Sequence, residues 1–121
     1  MILTDNDKLR ILIINGDISE IMVLRDILYG EYDIDVAQST HTALHSISDN
    51  KPDIILLSSH LRGASCIDML PALLDFGNTR SIPILIIGDS GQVDIEESAL
   101  KIGAADYIPR PINSTVLRAR I

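Results

Sequence analysis

The sequence PDIILLSS, residues 52–59, encodes a buried β-strand that runs directly into a polar loop. Its central residues, 54–57, are all aliphatic, so polar and apolar side chains do not alternate along it. Similar runs, LRILII and IPILII, lie at 9–14 and 82–87. Strands that are apolar on both faces are typical of a parallel sheet covered by helices on both sides. These runs therefore predict an α/β domain.

Helical patterns alternate with these strands and with two shorter ones, at 34–37 and 107–108. The alternation predicts a flavodoxin-like doubly wound (βα)5 fold, with a five-stranded parallel sheet in the order 2-1-3-4-5. The first helix is marked by the apolar spacing of Ile21, Leu24 and Leu28. The other predicted helix features are an N-cap at Asp17 or Ser19, a second N-cap at Thr40, a kink or late start caused by Pro71, a C-terminus at Gly103 and a fifth helix from Asn113.

The chain has 121 residues, which is the size of one domain. The closing helical pattern at 116–121 has no terminating residue, so we expect residues 1–121 to form the N-terminal domain of a longer protein. The net charge of −7 repels phosphate backbones and anionic lipids, which argues against direct nucleic-acid or membrane binding. A single cysteine, Cys66, and apolar runs far short of ~20 residues favour a cytoplasmic location.

A candidate site is predicted where the strands end. In doubly wound sheets, ligands bind beyond the carboxyl ends of the strands, at the switch in strand order. The side chains expected there come from four strand ends, and most are polar. They are Asn15, Gly16 and Asp17; Ser58 and Ser59; Gly88, Asp89 and Ser90; and Arg110.

Essentially the whole chain resembles the receiver domain of bacterial response regulators, the signalling proteins of two-component and phosphorelay systems. The resemblance is carried by the strands at 9–14, 52–58 and 82–87, and by Gly63 at the usual loop glycine. Its most specific part is the closing motif GAADYIPRP, residues 103–111. The resemblance implies that Arg110-Pro111 stands for the family's Lys-Pro, that Tyr107 is the switch aromatic, and that a cis peptide precedes Pro111.

The chain differs from the family at the positions that carry the family's phosphorylation chemistry. By the resemblance, the phospho-acceptor aspartate is Ser58, the acidic pair is Asn15-Gly16, the threonine is Gly88 and the lysine is Arg110. Serine has no carboxylate with which to form an acyl phosphate, and hard cations such as Mg²⁺ require charged oxygen ligands. We therefore predict a degenerate phosphorylation pocket with no metal, no cofactor and no enzymatic activity.

Two acids lie one residue beyond matched positions, Asp17 and Asp89. We interpret Asp17 as a helix cap and Asp89 as a turn residue. A sharper hypothesis is that Arg110 pairs with one of them through its planar guanidinium and locks one conformation.

Two other arrangements suggest catalysis or metal binding. Ser58 and His60 are a nucleophile and a base, but no glycine-flanked nucleophile turn surrounds Ser58. His41 and His45 have the i, i+4 spacing of a metal pair, without a carboxylate or cysteine predicted beside them. We interpret the first pair as polar loop residues and the second as a solvated helix face.

The resulting prediction is an atypical receiver that acts through protein contacts, by homodimerisation or by regulating an attached output domain. The resemblance places the contact surface on the fourth helix, fifth strand and fifth helix, with residues Ile95, Leu100, Lys101, Tyr107 and Pro111. The tail at 111–121 is similar to receivers that precede cyclic-di-GMP output domains.

Two alternatives stay open at this point. In one, phosphorylation or Mg²⁺ still switches the domain through a substitute acid, Asp17 or Asp89. In the other, the vacated pocket is roomy and binds a small anion beside Arg110.

Overall fold

A computed structural model describes residues 8–61, 63–76 and 81–121. In these ranges five strands alternate with five helices. The strands are β1 Arg10–Ile14, β2 Asp33–Ala37, β3 Ile54–Ser58, β4 Ile84–Asp89 and β5 Asp106–Arg110. The helices are α1 Ile18–Leu28, α2 Thr40–Asp49, α3 Cys66–Leu74, α4 Val93–Ile102 and α5 Ser114–Arg120.

All strands run parallel in one sheet of order β2-β1-β3-β4-β5, which confirms the predicted topology. The three aliphatic runs form the central strands β1, β3 and β4. Alternate residues of β1 enter two separate cores: Leu12 and Ile14 pack on one side of the sheet, Ile11 and Ile13 on the other. Burial on both faces explains why these strands lack polar alternation. No helix in the described ranges is long and apolar enough to span a membrane.

Most predicted helix ends are confirmed. The Asp17 carboxylate caps α1 by accepting from the backbone N–H of Ser19, and Asn113 caps α5 by accepting from that of Val116. The α4 helix ends at Gly103, whose φ of 138° is one that side chains with a Cβ rarely adopt.

Two helix predictions need correction. The α2 helix is capped by Ser39 and not by Thr40, because the Ser39 side chain accepts from the Thr42 N–H while Thr40 is already helical. The α3 helix does not start late at Pro71, because Ser65 caps it and the helix runs from Cys66 through the proline.

The ends of β4 and β5 differ from their predicted bounds in a way that shapes the site. The β4 strand continues to Asp89, so the prediction that Asp89 lies in a turn is wrong. The β5 strand extends to Arg110. Ladder pairing explains both extensions, since Gly88 is opposite Pro109 and Asp89 is opposite Arg110. This register brings the Arg110 side chain to the carboxyl edge of the sheet.

Candidate functional site

A polar cluster occupies the carboxyl edge of the sheet, between the ends of β1, β3, β4 and β5. Two of its members, Asn15 and Ser58, are the buried polar residues of the described chain, with 0% and 1% of their surface exposed. Buried polar groups are costly unless they are hydrogen-bonded. Among the described residues, every buried side-chain nitrogen and oxygen has a partner.

The centre of this cluster is an ion pair between Arg110 of β5 and Glu20 of α1. The Arg110 Nε lies 2.6 Å from Glu20 Oε2, and Arg110 Nη2 lies 2.8 Å from Glu20 Oε1. Both side chains are shielded from water, with exposed fractions of 14% for Arg110 and 10% for Glu20. Two parallel charge-assisted bonds fix orientation as well as distance, which a lysine could not do.

Arg110 also binds the ends of two other strands. Its Nη2 donates to Ser58 Oγ at 2.8 Å, and its Nη1 donates to Ser59 Oγ at 2.8 Å and to Asp89 Oδ1 at 3.2 Å. Every nitrogen of the guanidinium therefore has a protein acceptor.

Asn15 also hydrogen-bonds to Glu20. Its Nδ2 donates to Glu20 Oε1 at 2.8 Å, and its Oδ1 accepts from the backbone N–H of Asp17 at 2.8 Å. The Ser58 hydroxyl lies 3.3 Å from the same Glu20 oxygen. The amide of Asn15 thus connects the end of β1 to both the helix cap and the ion pair.

The surroundings of Glu20 and Arg110 favour the charged forms of both side chains. Burial alone would raise the pKa of Glu20, but hydrogen bonds from Arg110 and Asn15, together with the charge of Arg110, bring that pKa below its ordinary value. Burial alone would lower the pKa of Arg110, yet its contacts with Glu20 and Asp89 raise that pKa. Both groups are charged at neutral pH.

The predicted partners of Arg110 are confirmed in part. The contact with Asp89 is present at 3.2 Å, but Asp17 is not the partner because it faces the N–H groups of α1, 3.0 Å from Ser19 N. Sequence reasoning missed Glu20, although a signal was available. Glu20 lies four residues before the buried Leu24, on the helix face that points toward the sheet.

The predicted roominess of the pocket is wrong. Glu20 spans the space between Asn15, Ser58 and Arg110, and hydrogen-bonds to each of them. In the described parts of the chain, no group of three or more His, Cys, Asp or Glu residues is arranged to hold a metal ion.

The space above Gly88 is filled by Tyr107. The tyrosine is 6% exposed, and its hydroxyl donates to the backbone carbonyl of Asp89 at 2.9 Å. A Cβ atom added to Gly88 would lie 2.1 Å from the Tyr107 oxygen, so the two residues fit only because residue 88 has no side chain. Burial raises the pKa of the Tyr107 phenol.

The other residues predicted for a contact surface lie on α4 and directly after β5. Leu100 is 44% exposed, Lys101 and Pro111 are exposed, and Ile95 is half-buried. The Arg110–Pro111 peptide is cis, as the resemblance implied.

The described residues form neither a hydrolase site at Ser58 and His60 nor a metal site at His41 and His45. Ser58 Oγ accepts from the backbone N–H of His60 at 2.9 Å, while the His60 ring lies 3.9 Å from Asp89. His41 and His45 stand edge to face on the exposed side of α2, with ring centres 5.7 Å apart. Ser58 is a buried residue of β3 and not a loop residue, whereas His60 is exposed beyond the strand. His41 and His45 lie on a solvated helix face as interpreted, but the expectation that no carboxylate lies beside them is wrong, because His45 Nδ1 is 3.6 Å from Asp49 Oδ2.

Comparison with known proteins gives one consistent family. The family model described as the response regulator receiver domain matches residues 11–121. The phosphate regulon transcriptional regulatory protein PhoB of Pseudomonas aeruginosa is 38% identical over 85 residues, which cover 70% of this chain and 37% of PhoB. The transcriptional regulatory protein ZraR of Escherichia coli is 28% identical over 120 residues, covering 96% of this chain and 26% of ZraR. The chain thus matches only 26–37% of these relatives' lengths.

Solved structures share the same architecture. A putative response regulator from Chloroflexus aurantiacus superposes with a TM-score of 0.88 at 25% identity, over 93% of each chain. The receiver domain of the sensor histidine kinase PA1611 from Pseudomonas aeruginosa, solved with a magnesium ion in its active site cleft, gives a TM-score of 0.82 at 19% identity. That match covers 93% of each chain and supports the fold alone.

Proposed function

The chain belongs to the response-regulator receiver family, and on that premise we propose that it is an atypical receiver. In this proposal, the domain is not phosphorylated at the family's usual position. It regulates an attached output domain through protein–protein contacts, by self-association or by docking.

The observation that carries the proposal is the ion pair between Arg110 and Glu20. If Ser58 stands at the acceptor position, as the resemblance implies, the edge of β3 offers a hydroxyl where an acyl phosphate requires a carboxylate. The nearest carboxylate, Glu20, is engaged by Arg110 through both of its oxygens. A phosphoryl group or its cation would first have to break this pair, which would leave two largely shielded charges without their partners.

The same contacts weigh against a substitute metal site. Mg²⁺ favours oxygen ligands in octahedral geometry, with carboxylates supplying charge. Here the Asn15 oxygen already accepts from the Asp17 N–H, and Asp17 faces its own helix. The guanidinium of Arg110 adds a permanent positive charge at the centre of the cluster.

A small-anion sensor is disfavoured for a related reason. An anion would have to compete for Arg110 with Glu20, Ser58, Ser59 and Asp89, which already accept from its nitrogens. Glu20 would also repel the anion, because its lowered pKa keeps it negatively charged.

The proposed contact surface is formed by α4, β5 and α5. On or beside these elements Leu100, Lys101 and Pro111 are exposed, and Tyr107 is buried. The net charge of −7 supports contacts with protein and not directly with nucleic acid. A cyclic-di-GMP output domain is proposed only from the tail at 111–121, and a cytoplasmic location only from composition.

Phosphorylation is tested by incubating the domain with Mg²⁺ and acetyl phosphate, then measuring its intact mass. We expect no mass gain in the wild-type protein. A variant that restores acids and lysine, N15D/S58D/R110K, serves as the matched comparison and is expected to gain one phosphoryl group. Gain of a hydroxylamine-labile phosphoryl group by the wild-type domain would refute the proposal.

The contact surface is tested by sedimentation velocity over a range of concentrations. Leu100→Glu places a charge on the proposed surface, and Met22→Glu places the same charge on α1, where Met22 is 62% exposed. Self-association through the proposed surface predicts that only the Leu100 variant shifts toward monomer. Equal behaviour of the two variants would argue against this surface as the site of self-association.

A further inference from the structure

Asn15 is followed directly by Gly16, and this pair of residues is the one at which an asparagine side chain loses ammonia most readily. The backbone nitrogen of the glycine, after losing its proton, forms a bond to the asparagine Cγ and expels the side-chain nitrogen as ammonia. One water molecule then opens the cyclic imide to aspartate or isoaspartate. Glycine permits the attack because it has no Cβ that would hinder the approach. The chain therefore carries, at the end of β1, a modification site that needs no enzyme.

The fold withholds each participant of this reaction. The Gly16 N–H donates to the backbone carbonyl of His60 at 2.7 Å, so the attacking nitrogen is engaged. The Asn15 Nδ2, which would leave as ammonia, donates to Glu20 Oε1 at 2.8 Å, and its Oδ1 accepts from the Asp17 N–H at 2.8 Å. Asn15 is 0% exposed, which keeps water away from the amide. Deamidation therefore requires this cluster to open.

The ion pair between Arg110 and Glu20 keeps the cluster closed. Arg110 binds both oxygens of the Glu20 carboxylate, at 2.6 and 2.8 Å, and the same carboxylate holds the Asn15 amide. A shielded carboxylate that loses its cation gains by turning toward water. That movement frees the Asn15 amide and admits water to it. Because parts of a fold open locally at a lower free energy than the whole domain unfolds, the rate at Asn15 follows the opening of the ion pair.

The product does not fit the closed cluster. Aspartate at position 15 has no N–H to donate, and a carboxylate oxygen takes the place of the nitrogen that lies 2.8 Å from Glu20 Oε1. Two carboxylates at such a distance repel each other unless a proton or a cation joins them. Deamidation thus replaces a hydrogen bond that supports Glu20 with a like charge beside it.

We infer that Asn15-Gly16 is a deamidation site that the Arg110–Glu20 ion pair keeps closed, and that its reaction weakens this ion pair irreversibly. Each event consumes one water molecule and releases one ammonia. The inference uses only the contacts around Asn15 and does not rest on the proposed function.

Protection by the fold is tested by incubating the domain at mildly alkaline pH and quantifying the aspartate and isoaspartate forms of its peptides by mass spectrometry. Asn50, which is exposed and followed by lysine, is the internal reference. In urea, Asn15 is expected to react faster than Asn50. In the folded domain the rate at Asn15 is expected to fall by roughly tenfold or more, and that at Asn50 to fall much less. Equal rates at Asn15 in the two states would overturn the inference.

Control by the ion pair is tested with Glu20→Gln and Arg110→Met. Both are expected to raise the folded-state rate at Asn15 by roughly three- to tenfold and to leave the rate in urea unchanged. Arg120→Gln, which breaks an exposed ion pair, is the matched control and is expected to keep the wild-type rate. Wild-type rates in both cluster variants, or an equal increase in the Arg120 variant, would overturn the inference.

Leu28→Ala separates local opening from general destabilisation. Leu28 is fully buried at the far end of α1 from Glu20, so its truncation weakens the domain without removing a contact of Asn15. In the folded domain it is expected to raise the rate at Asn15 less than Arg110→Met does. An increase as large as that of Arg110→Met would show that the ion pair has no specific role.

The effect of the product is tested with Asn15→Asp, compared with Asn15→Ala, which removes the same hydrogen bonds without adding a charge. The readout is hydrogen exchange of the Arg110 Nε–H, which donates to Glu20 at 2.6 Å. Asn15→Asp is expected to speed this exchange by roughly threefold more than Asn15→Ala does. Equal exchange in the two variants would refute the weakening of the ion pair. If Asn15→Asp does not fold, the same readout is followed in wild-type protein as Asn15 deamidates.

Discussion

Replacing Glu20 by glutamine removes the negative half of the central ion pair while keeping the size of the side chain. Arg110 then remains charged at 14% exposure, with Asp89 as its remaining anionic contact at 3.2 Å. Leaving a buried charge without its partner costs about 3–5 kcal/mol in other proteins. Because Asp89 and some water access compensate in part, we expect Glu20→Gln to lower the free energy of unfolding by about 2–4 kcal/mol.

A double-mutant cycle isolates the interaction from the loss of each side chain. Arg110→Met keeps much of the arginine stem and removes its charge, leaving Glu20 uncompensated. Removing both charges together avoids either uncompensated state, so the double variant should lose less stability than the sum of the single variants. We expect a coupling free energy of about 1.5–3 kcal/mol.

The assay is urea unfolding followed by circular dichroism at neutral pH, at low and high salt. The control is Arg120→Gln, which breaks an equally short but exposed pair with Asp106, 2.7 Å long. Arg120→Gln should lower the urea midpoint of unfolding far less than Glu20→Gln does, because exposed ion pairs contribute little to stability. A coupling free energy below about 0.5 kcal/mol would refute the reasoning, since the pair would then be no stronger than a surface contact.

Three further predictions follow from the same cluster. The folded-state pKa of Glu20 lies below its ordinary value of 4.5. The ionised carboxylate therefore stabilises the fold fully above pH 4.5, and this contribution is lost as the pH falls through the folded-state pKa. The unfolding free energies of the wild-type protein and Glu20→Gln should converge as the pH is lowered. Asn15→Ala should lower the free energy of unfolding by about 1–3 kcal/mol in urea, because Glu20 and the Asp17 N–H each lose a partner. Asp17→Ala should cost about 1 kcal/mol by loss of the α1 cap, and a larger loss would show that Asp17 also supports the ion pair.

The elements that place the site could be predicted from sequence because local rules determine them. Continuous aliphatic runs mark the central strands, and caps at Asp17, Gly103 and Asn113 follow from residue type. The contact between Arg110 and Asp89 was also predictable, since both lie at the carboxyl ends of neighbouring strands.

The rest of the site depends on side-chain geometry that local patterns do not contain. Glu20 stands three residues after the cap of α1, where an acid is ordinarily explained by the helix dipole. Its reach to Arg110 joins residues 90 positions apart, which only the assembled fold brings together. The carboxyl ends of β4 and β5 lie beyond their predicted bounds for a similar reason, because Asp89 pairs with Arg110 across the two strands.

We propose that the Arg110–Glu20 ion pair takes the place of phosphorylation chemistry in this receiver domain. The most direct measurement is an amide NMR titration with Mg²⁺, followed by Mg²⁺ with beryllofluoride, which imitates a phosphoryl group. The magnesium-binding receiver domain of PA1611 provides the positive control for the first step. If the ion pair blocks the site, the amides of Asn15, Ser58 and Arg110 show no saturable shifts; saturable shifts at these residues would mean that the site still binds Mg²⁺ or the phosphoryl mimic.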